Sequence, residues 1–118
     1  MTLDSRLATV VEAARSKKAS RIRLVDVGAI ASFTDTFAFM SGGSDRQNRA
    51  IAEAVEDALK ETGERPISRE GEANGNWVLL DYGNLVVHVM DEETRRHYNL
   101  EGLWSAGQEL ELPAETHP

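Results

Sequence analysis

The chain reads as an α/β (α+β) protein in which helices flank a mixed β-sheet. Three observations predict it. Apolar residues recur at helical spacing over 3–17 and again over 50–59. Continuous apolar runs of strand length occur at 77–80 and 85–90. The two kinds of segment alternate along the chain with no repeat and no linker between them.

The elements follow in order. Leu3, Leu7, Val10, Val11 and Ala14 form one apolar stripe, which predicts a first helix over 3–17. In 21–27 the residues Ile22, Leu24, Val25 and Val27 point inward from a strand. A second strand is expected over 36–40 and ends at the Ser41-Gly42-Gly43 breaker. Ser44, with Gln47 three residues later, has capping-box spacing and opens the second helix. That helix carries Ala50, Ile51, Ala54, Val55, Ala58 and Leu59 on one face and Glu53, Glu56, Asp57 and Lys60 on the other. Gly63 closes it and Pro66 prevents its return.

A short strand over 67–70 and a glycine-bounded loop over 71–75 lead into a hairpin. Its strands are 77–80 and 85–90, and Asp81-Tyr82-Gly83-Asn84 supplies residues that tolerate positive dihedrals at the turn. Neither run alternates cleanly, so both strands are expected to be covered on two faces. Asp91, Glu92 and Glu93 then place negative charge where a short helix begins, which the backbone dipole favours. From Glu109 the chain is acidic and carries Pro113 and Pro118. The expected organisation is one domain over 1–108 and an acidic, flexible tail over 109–118.

Composition narrows the function. The formal net charge is −7, which argues against phosphate-driven or sequence-specific nucleic-acid binding and suits a basic protein partner. There is no cysteine, so disulfides, zinc–thiolate sites and thiol catalysis are excluded. No apolar run approaches the ~20 residues of a membrane span. Asp4, Arg6 and Glu12 interrupt the only candidate signal-peptide core, so a cytoplasmic protein is expected.

Each candidate for chemistry has a structural alternative. The Ser41-Gly42-Gly43-Ser44 turn between strand and helix could offer backbone amides to an anion. It lacks the Gly-Lys-Ser/Thr ending of a P-loop and is similar to the Gly-Ser element that opens nucleotidyltransferase domains. That family needs paired carboxylates on a following strand, whereas 50–59 is helical with Glu53, Glu56 and Asp57 on its polar face. Turn and cap is the favoured reading. His88 lies in an apolar strand with no nucleophile elbow and no metal-ligand spacing, and reads as a structural histidine or one at the rim of an interface. His97 sits beside Arg95 and Arg96, where solvent exposure is the default, and His117 carries no signal. Neither a cofactor nor a metal is expected.

The informative set surrounds the hairpin: Trp77, Asp81, Tyr82, Gly83, His88, Tyr98, Glu101 and Trp104. Two tryptophans, two tyrosines and three phenylalanines are few for 118 residues, yet Trp77, Tyr98 and Trp104 bracket this one feature. Such rings anchor interfaces because they bury much area while fixing few torsions. Core and interface readings stand level for them. Glu70, Glu72, Asp81, Asp91 and Glu101 add a loose acidic group, which is either a solvated face or a docking surface for Lys and Arg.

A series of short motifs appears in a recognisable order: Asp26-Val27, Thr34-Asp35-Thr36-Phe37, the Ser41-Gly42 turn with Ser44 and Arg46-Gln47, and Glu70-Gly71. Trp77-Val78-Leu79-Leu80-Asp81-Tyr82-Gly83, Val86-Val87-His88-Val89 and Tyr98-Asn99-Leu100-Glu101-Gly102-Leu103-Trp104 follow. Over 3–104 the chain resembles the ribosomal silencing factor (RsfS, or Iojap-like) family. Thr36 stands where a tyrosine is usual, Met90 where phenylalanine is common, and Ser105-Ala106-Gly107 where the pattern has Asp-Ala.

The resemblance implies a nucleotidyltransferase-like topology without that activity. It implies binding to the large ribosomal subunit through its fourteenth ribosomal protein, steric block of small-subunit joining, and repression of translation when nutrients are scarce. It further implies a homodimer when free and a monomer on the subunit. On that reading Trp77, Tyr82 and Tyr98 are apolar contacts, and Asp81 and Glu101 meet basic side chains. Gly83, His88 and Trp104 form or support the same surface. Two other readings compete with it: a phosphoryl-transfer or nucleotide-binding protein using the Gly42-Gly43-Ser44 turn, and a dimeric scaffold whose rings serve only self-association.

Overall fold

A computed structural model describes residues 3–114. The elements are α1 (Leu3–Ser16), β1 (Ser20–Asp26), β2 (Thr36–Ser41), α2 (Asp45–Glu61), β3 (Ser68–Glu70), β4 (Trp77–Asp81), β5 (Leu85–Met90), α3 (Glu92–Tyr98), α4 (Leu100–Leu103) and β6 (Gln108–Leu110). The six strands form a single sheet in the order β3-β4-β5-β2-β1-β6. Only β2 and β5 run parallel, with Phe37 opposite Val86 and Phe39 opposite His88. A parallel pair needs a long crossover, and the segment carrying α2, β3 and β4 provides it. The sheet is therefore mixed and helix-flanked, as the sequence predicts.

The two faces of the sheet bury different sets. Beneath α1 and α2 lie Leu24, Ala38, Met40, Val78, Leu80, Val87 and Val89, packed on Val10, Val11, Ile51, Val55 and Leu59. The opposite face holds Val25, Phe37, Phe39, Val86 and Met90, with Trp77, Leu79, Leu100 and Trp104 packed against them. Double cover explains why β2 and β5 are buried at every position. For β4 the expectation holds only in part. Val78 and Leu80 are sealed under the helices, but Trp77, Leu79 and Asp81 are half-buried, because among the described residues no helix fully roofs that side of the sheet.

Local signals act as the sequence indicates at α2. The Ser44 hydroxyl accepts from the Gln47 backbone N–H, while the Gln47 side chain reaches back to the N–H of Gly43, one residue before the cap. Gly63 closes the helix at φ +93°.

The end of the chain departs from expectation. Asn99, in the left-handed conformation, ends α3 and caps α4 by accepting from the Gly102 N–H. Glu109 and Leu110, expected to fray, form β6 with Gln108 and pair antiparallel to β1, and Leu110 and Leu112 pack on the core. Pairing with the open edge of β1 outweighs the acidic composition of this stretch. Residues 115–118 of the expected tail lie outside the described residues.

Candidate protein-docking face

The face of the sheet opposite α1 and α2 carries a chain of rings. Side chains of one strand alternate between faces, so Trp77, Leu79 and Asp81 on β4 share this side with Val86, His88 and Met90 on β5 and with Phe37 and Phe39 on β2. Tyr98, at the end of α3, meets Trp77 at 4.9 Å between centroids. Trp77 approaches His88 at 5.9 Å, and His88 stacks on Phe39 at 5.2 Å and meets Phe37 at 5.3 Å. Trp104 lies 5.4 Å from Phe37 and 5.8 Å from Phe33. The middle of this belt is core. Its two ends open to solvent at Tyr98, 56% exposed, and at Phe33, 61% exposed, with Ile30 and Leu103 also exposed.

The predicted site residues divide accordingly. Trp77, Tyr98 and Trp104 lie on this face and are half-buried or exposed. Asp81 is on the same face, where its side chain accepts from the Gly83 N–H and fixes the turn. Gly83 has φ +86°, a conformation that a side chain would strain, so its part is to shape the turn.

Tyr82 and Glu101 are corrected as expected contacts, and of the two readings of His88 the structural one holds. Tyr82 follows Asp81 by one position and therefore points the other way. It is 8% exposed, packs with the core beneath the helices, and has the Arg6 guanidinium 5.7 Å from its ring centre. Burial, reinforced by Glu56 and Glu64, pushes its phenol up to about 12. Its ring is turned to the core rather than to a surface a partner could cover. His88 is 4% exposed; its Nδ1 accepts from the Trp77 indole N–H at 3.1 Å, and burial lowers its pKa to about 4. It is a neutral core residue that orients Trp77. Glu101 already has cations. Arg95, 2% exposed, donates to it from Nε at 2.6 Å and also donates to the Ser41 hydroxyl at 2.8 Å; Arg23 supplies a further ion pair. Burial pushes the Glu101 carboxyl up, but the hydrogen bonds and charges of Arg95 and Arg23 outweigh it and hold it below its ordinary range.

This network is one that sequence reasoning missed. Arg95 and Glu101 are six residues apart and come together because Asn99 turns the chain between α3 and α4, fixing both Tyr98 and Trp104 against the sheet. A paired arginine in a short helix looks like any surface arginine, so no signal in the sequence marks it. Phe33 was missed for a similar reason: it lies in a loop, and only the fold brings it to Trp104.

The glycine turn is occupied by its own chain. The Gly42 N–H donates to Oδ1 of Asn48 at 2.9 Å, and the Gly43 N–H donates to Oε1 of Gln47 at 2.6 Å. Asn48 is fully buried, and its amide nitrogen donates onward to the Gly75 carbonyl, tying this turn to the loop before Trp77. A Cβ on Gly42 would lie 2.5 Å from Asn48 Oδ1, so the glycine serves this close approach. The amides that could have greeted a phosphate are spent on structure.

Comparison with known proteins agrees with this architecture. The family model described as ribosomal silencing factor during starvation matches residues 1–118. A Bacillus subtilis protein named ribosomal silencing factor RsfS is 38% identical over 104 residues, covering 88% of each chain. A mouse protein named mitochondrial assembly of ribosomal large subunit protein 1 is 31% identical over 92% of this chain and 51% of its own. A crystal structure of a Chromobacterium violaceum protein superimposes with a TM-score of 0.86 at 33% identity, over 98% of this chain and 95% of that one. Full-length agreement in sequence, joined to the same mixed sheet in three dimensions, establishes that the chain belongs to the ribosomal silencing factor (RsfS) family.

Proposed function

We propose that this protein binds the large ribosomal subunit through its fourteenth ribosomal protein and blocks joining of the small subunit, repressing translation when nutrients are limited. Acting in the cytoplasm, it docks as a monomer, and its free form is a homodimer. The observation that carries this reading is the ring-bearing face itself: Tyr98 lies open against the half-buried Trp77, beside carboxylates in a chain of net charge −7. Family membership supports a ribosomal partner, and the name of the mouse relative, which refers to assembly of a ribosomal large subunit, is consistent with it. Bulk at a subunit interface is sufficient for the block, so the mechanism requires no turnover. No observation favours the nucleotide-binding alternative, because side chains already engage the glycine amides it would use.

The test is cosedimentation with isolated large subunits together with subunit joining in a purified translation system. Wild type should travel with the large subunit and inhibit joining. Tyr98→Ala, at an exposed position, should fold normally and bind roughly thirtyfold more weakly, the usual loss at an aromatic anchor. Unimpaired joining in the presence of saturating wild-type protein would end the proposal.

A further inference from the structure

Between the end of β3, the loop before β4 and the end of α3 lies an open groove lined by Glu70, Gly71, Asn74, Trp77, Leu79 and Tyr98. Its layout follows from register. Glu70 pairs with Leu79 across β3 and β4, and Trp77 is two residues before Leu79, so all three side chains emerge on one face of the sheet. Tyr98 leans on Trp77 from α3 with the two ring planes 49° apart. Tyr98 is also shared with a second open groove lined by Asp91, Glu93, Arg96 and His97, so its ring stands as a ridge between two grooves, of which the one holding Glu70 has no basic side chain in its lining.

Glu70 differs from most carboxylates around it. Glu56 and Glu72 are held by Arg69, Glu92 by Arg21, and Glu101 by Arg95 and Arg23. Among the described residues Glu70 has neither an ion pair nor a side-chain hydrogen bond, and it is exposed. Tyr98 likewise presents an exposed ring, which meets the rings of Trp77 and His97.

From this arrangement we propose that the groove is a socket for one arginine side chain of the protein partner. The proposal rests on the docking function argued above and names the group that the site takes. The flat guanidinium would lie against Tyr98 and Trp77, its aliphatic stem along Leu79, and its fork would meet the Glu70 carboxylate. Arginine fits better than lysine because it is planar, stacks on aromatic faces and donates two parallel hydrogen bonds, whereas an ammonium is a compact and strongly hydrated point charge. The groove is open rather than enclosed, which suits a side chain on a macromolecule better than a free small ligand.

The experiment is a titration of isotope-labelled protein, followed by NMR, with capped Gly-Arg-Gly, Gly-Lys-Gly and Gly-citrulline-Gly peptides. The arginine peptide should shift the Trp77 indole N–H and the Glu70 and Tyr98 amides saturably. The lysine peptide should bind several-fold more weakly, and neutral citrulline should give no saturable shift. Glu70→Gln and Tyr98→Ala should each weaken the arginine peptide by about fivefold, while Tyr98→Phe, which keeps the ring, should stay within about twofold. Equal binding of citrulline, or no saturable shift at these signals, overturns the socket. Joining assays separate the two proposals. If Glu70→Gln blocks subunit joining as well as wild type does, the socket fails and silencing stands; if wild type itself fails to block, the silencing reading fails whatever the peptides do.

Discussion

The imidazole of His88 packs against both Phe37 and Phe39 with Trp77 on its Nδ1, and among the described residues no charged side chain hydrogen-bonds or ion-pairs with it. Protonation would remove the acceptor that Trp77 uses and would place a charge in an apolar layer, which is why burial lowers its pKa from 6.5 to about 4. Between those values the unfolded chain binds the proton and the folded chain does not, so stability must fall as pH drops from 6.5 toward 4. From pH 7 to pH 5 this one group should remove about 2 kcal/mol, read from urea unfolding at the two values. His88→Gln, which stays neutral, should lack that part of the slope; a slope unchanged by the substitution would show that His88 does not titrate in this window. Glu101 does not confuse the measurement, since its carboxyl is held below an ordinary value of 4.5 and acts in more acid conditions. Tyr82 allows a second check. Its hydroxyl is buried without a partner among the described residues, so Tyr82→Phe should leave both stability and subunit binding within about 0.5 kcal/mol of wild type. Tyr82→Ala should instead cost about 3–5 kcal/mol by opening a cavity under α1. If Tyr82→Phe lost binding while remaining folded, the phenol would be a contact after all.

The longer elements were legible before the structure because each carries its own signal. α2 has an apolar stripe, a capping box and a closing glycine, and all three appear as expected. The β4–β5 hairpin is marked by apolar runs around Gly83. α4 and β6, at four and three residues, are too short to show any period, and they exist because of what they touch: Asn99 and Arg95 for one, the edge of β1 for the other. Composition alone made the stretch from Glu109 resemble a loose tail. The structure predicts otherwise, since Leu110 and Leu112 are half-buried against the core and Glu109 is ion-paired with Arg23. A chain ending at residue 107 should therefore lose about 2–3 kcal/mol from the two leucines, seen as a lower urea midpoint, with β1 left as a bare edge. An unchanged midpoint would mean that β6 contributes nothing to the fold.

The same limit applied to the docking face. Residue type singled out Trp77, Tyr98 and Trp104 as bracketing the hairpin in sequence, but type does not say which side of a sheet a residue takes, and Trp104 packs on Phe33 and Phe37 instead. Asp81 and Tyr82 are neighbours, yet one faces the ring-bearing side and the other the helices, because a strand reverses its side chains at each step. Charge, by contrast, needs no fold to be read. In the proposed docking, a net charge of −7 surrounds a face whose apolar rings would do the holding, so attraction to a basic surface should act mainly before contact. Raising salt from about 0.05 M to 0.5 M shortens the screening length from roughly 14 Å to about 4 Å. The association rate with large subunits should then fall by about tenfold or more, while dissociation, set by the buried rings and short-range pairs, should change little. Stopped-flow or surface-based kinetics with intact subunits measures both. An association rate indifferent to salt would mean that the acidity serves solubility alone. A dissociation rate that rises as steeply as association falls would place most of the binding energy in exposed ion pairs rather than in Trp77 and Tyr98.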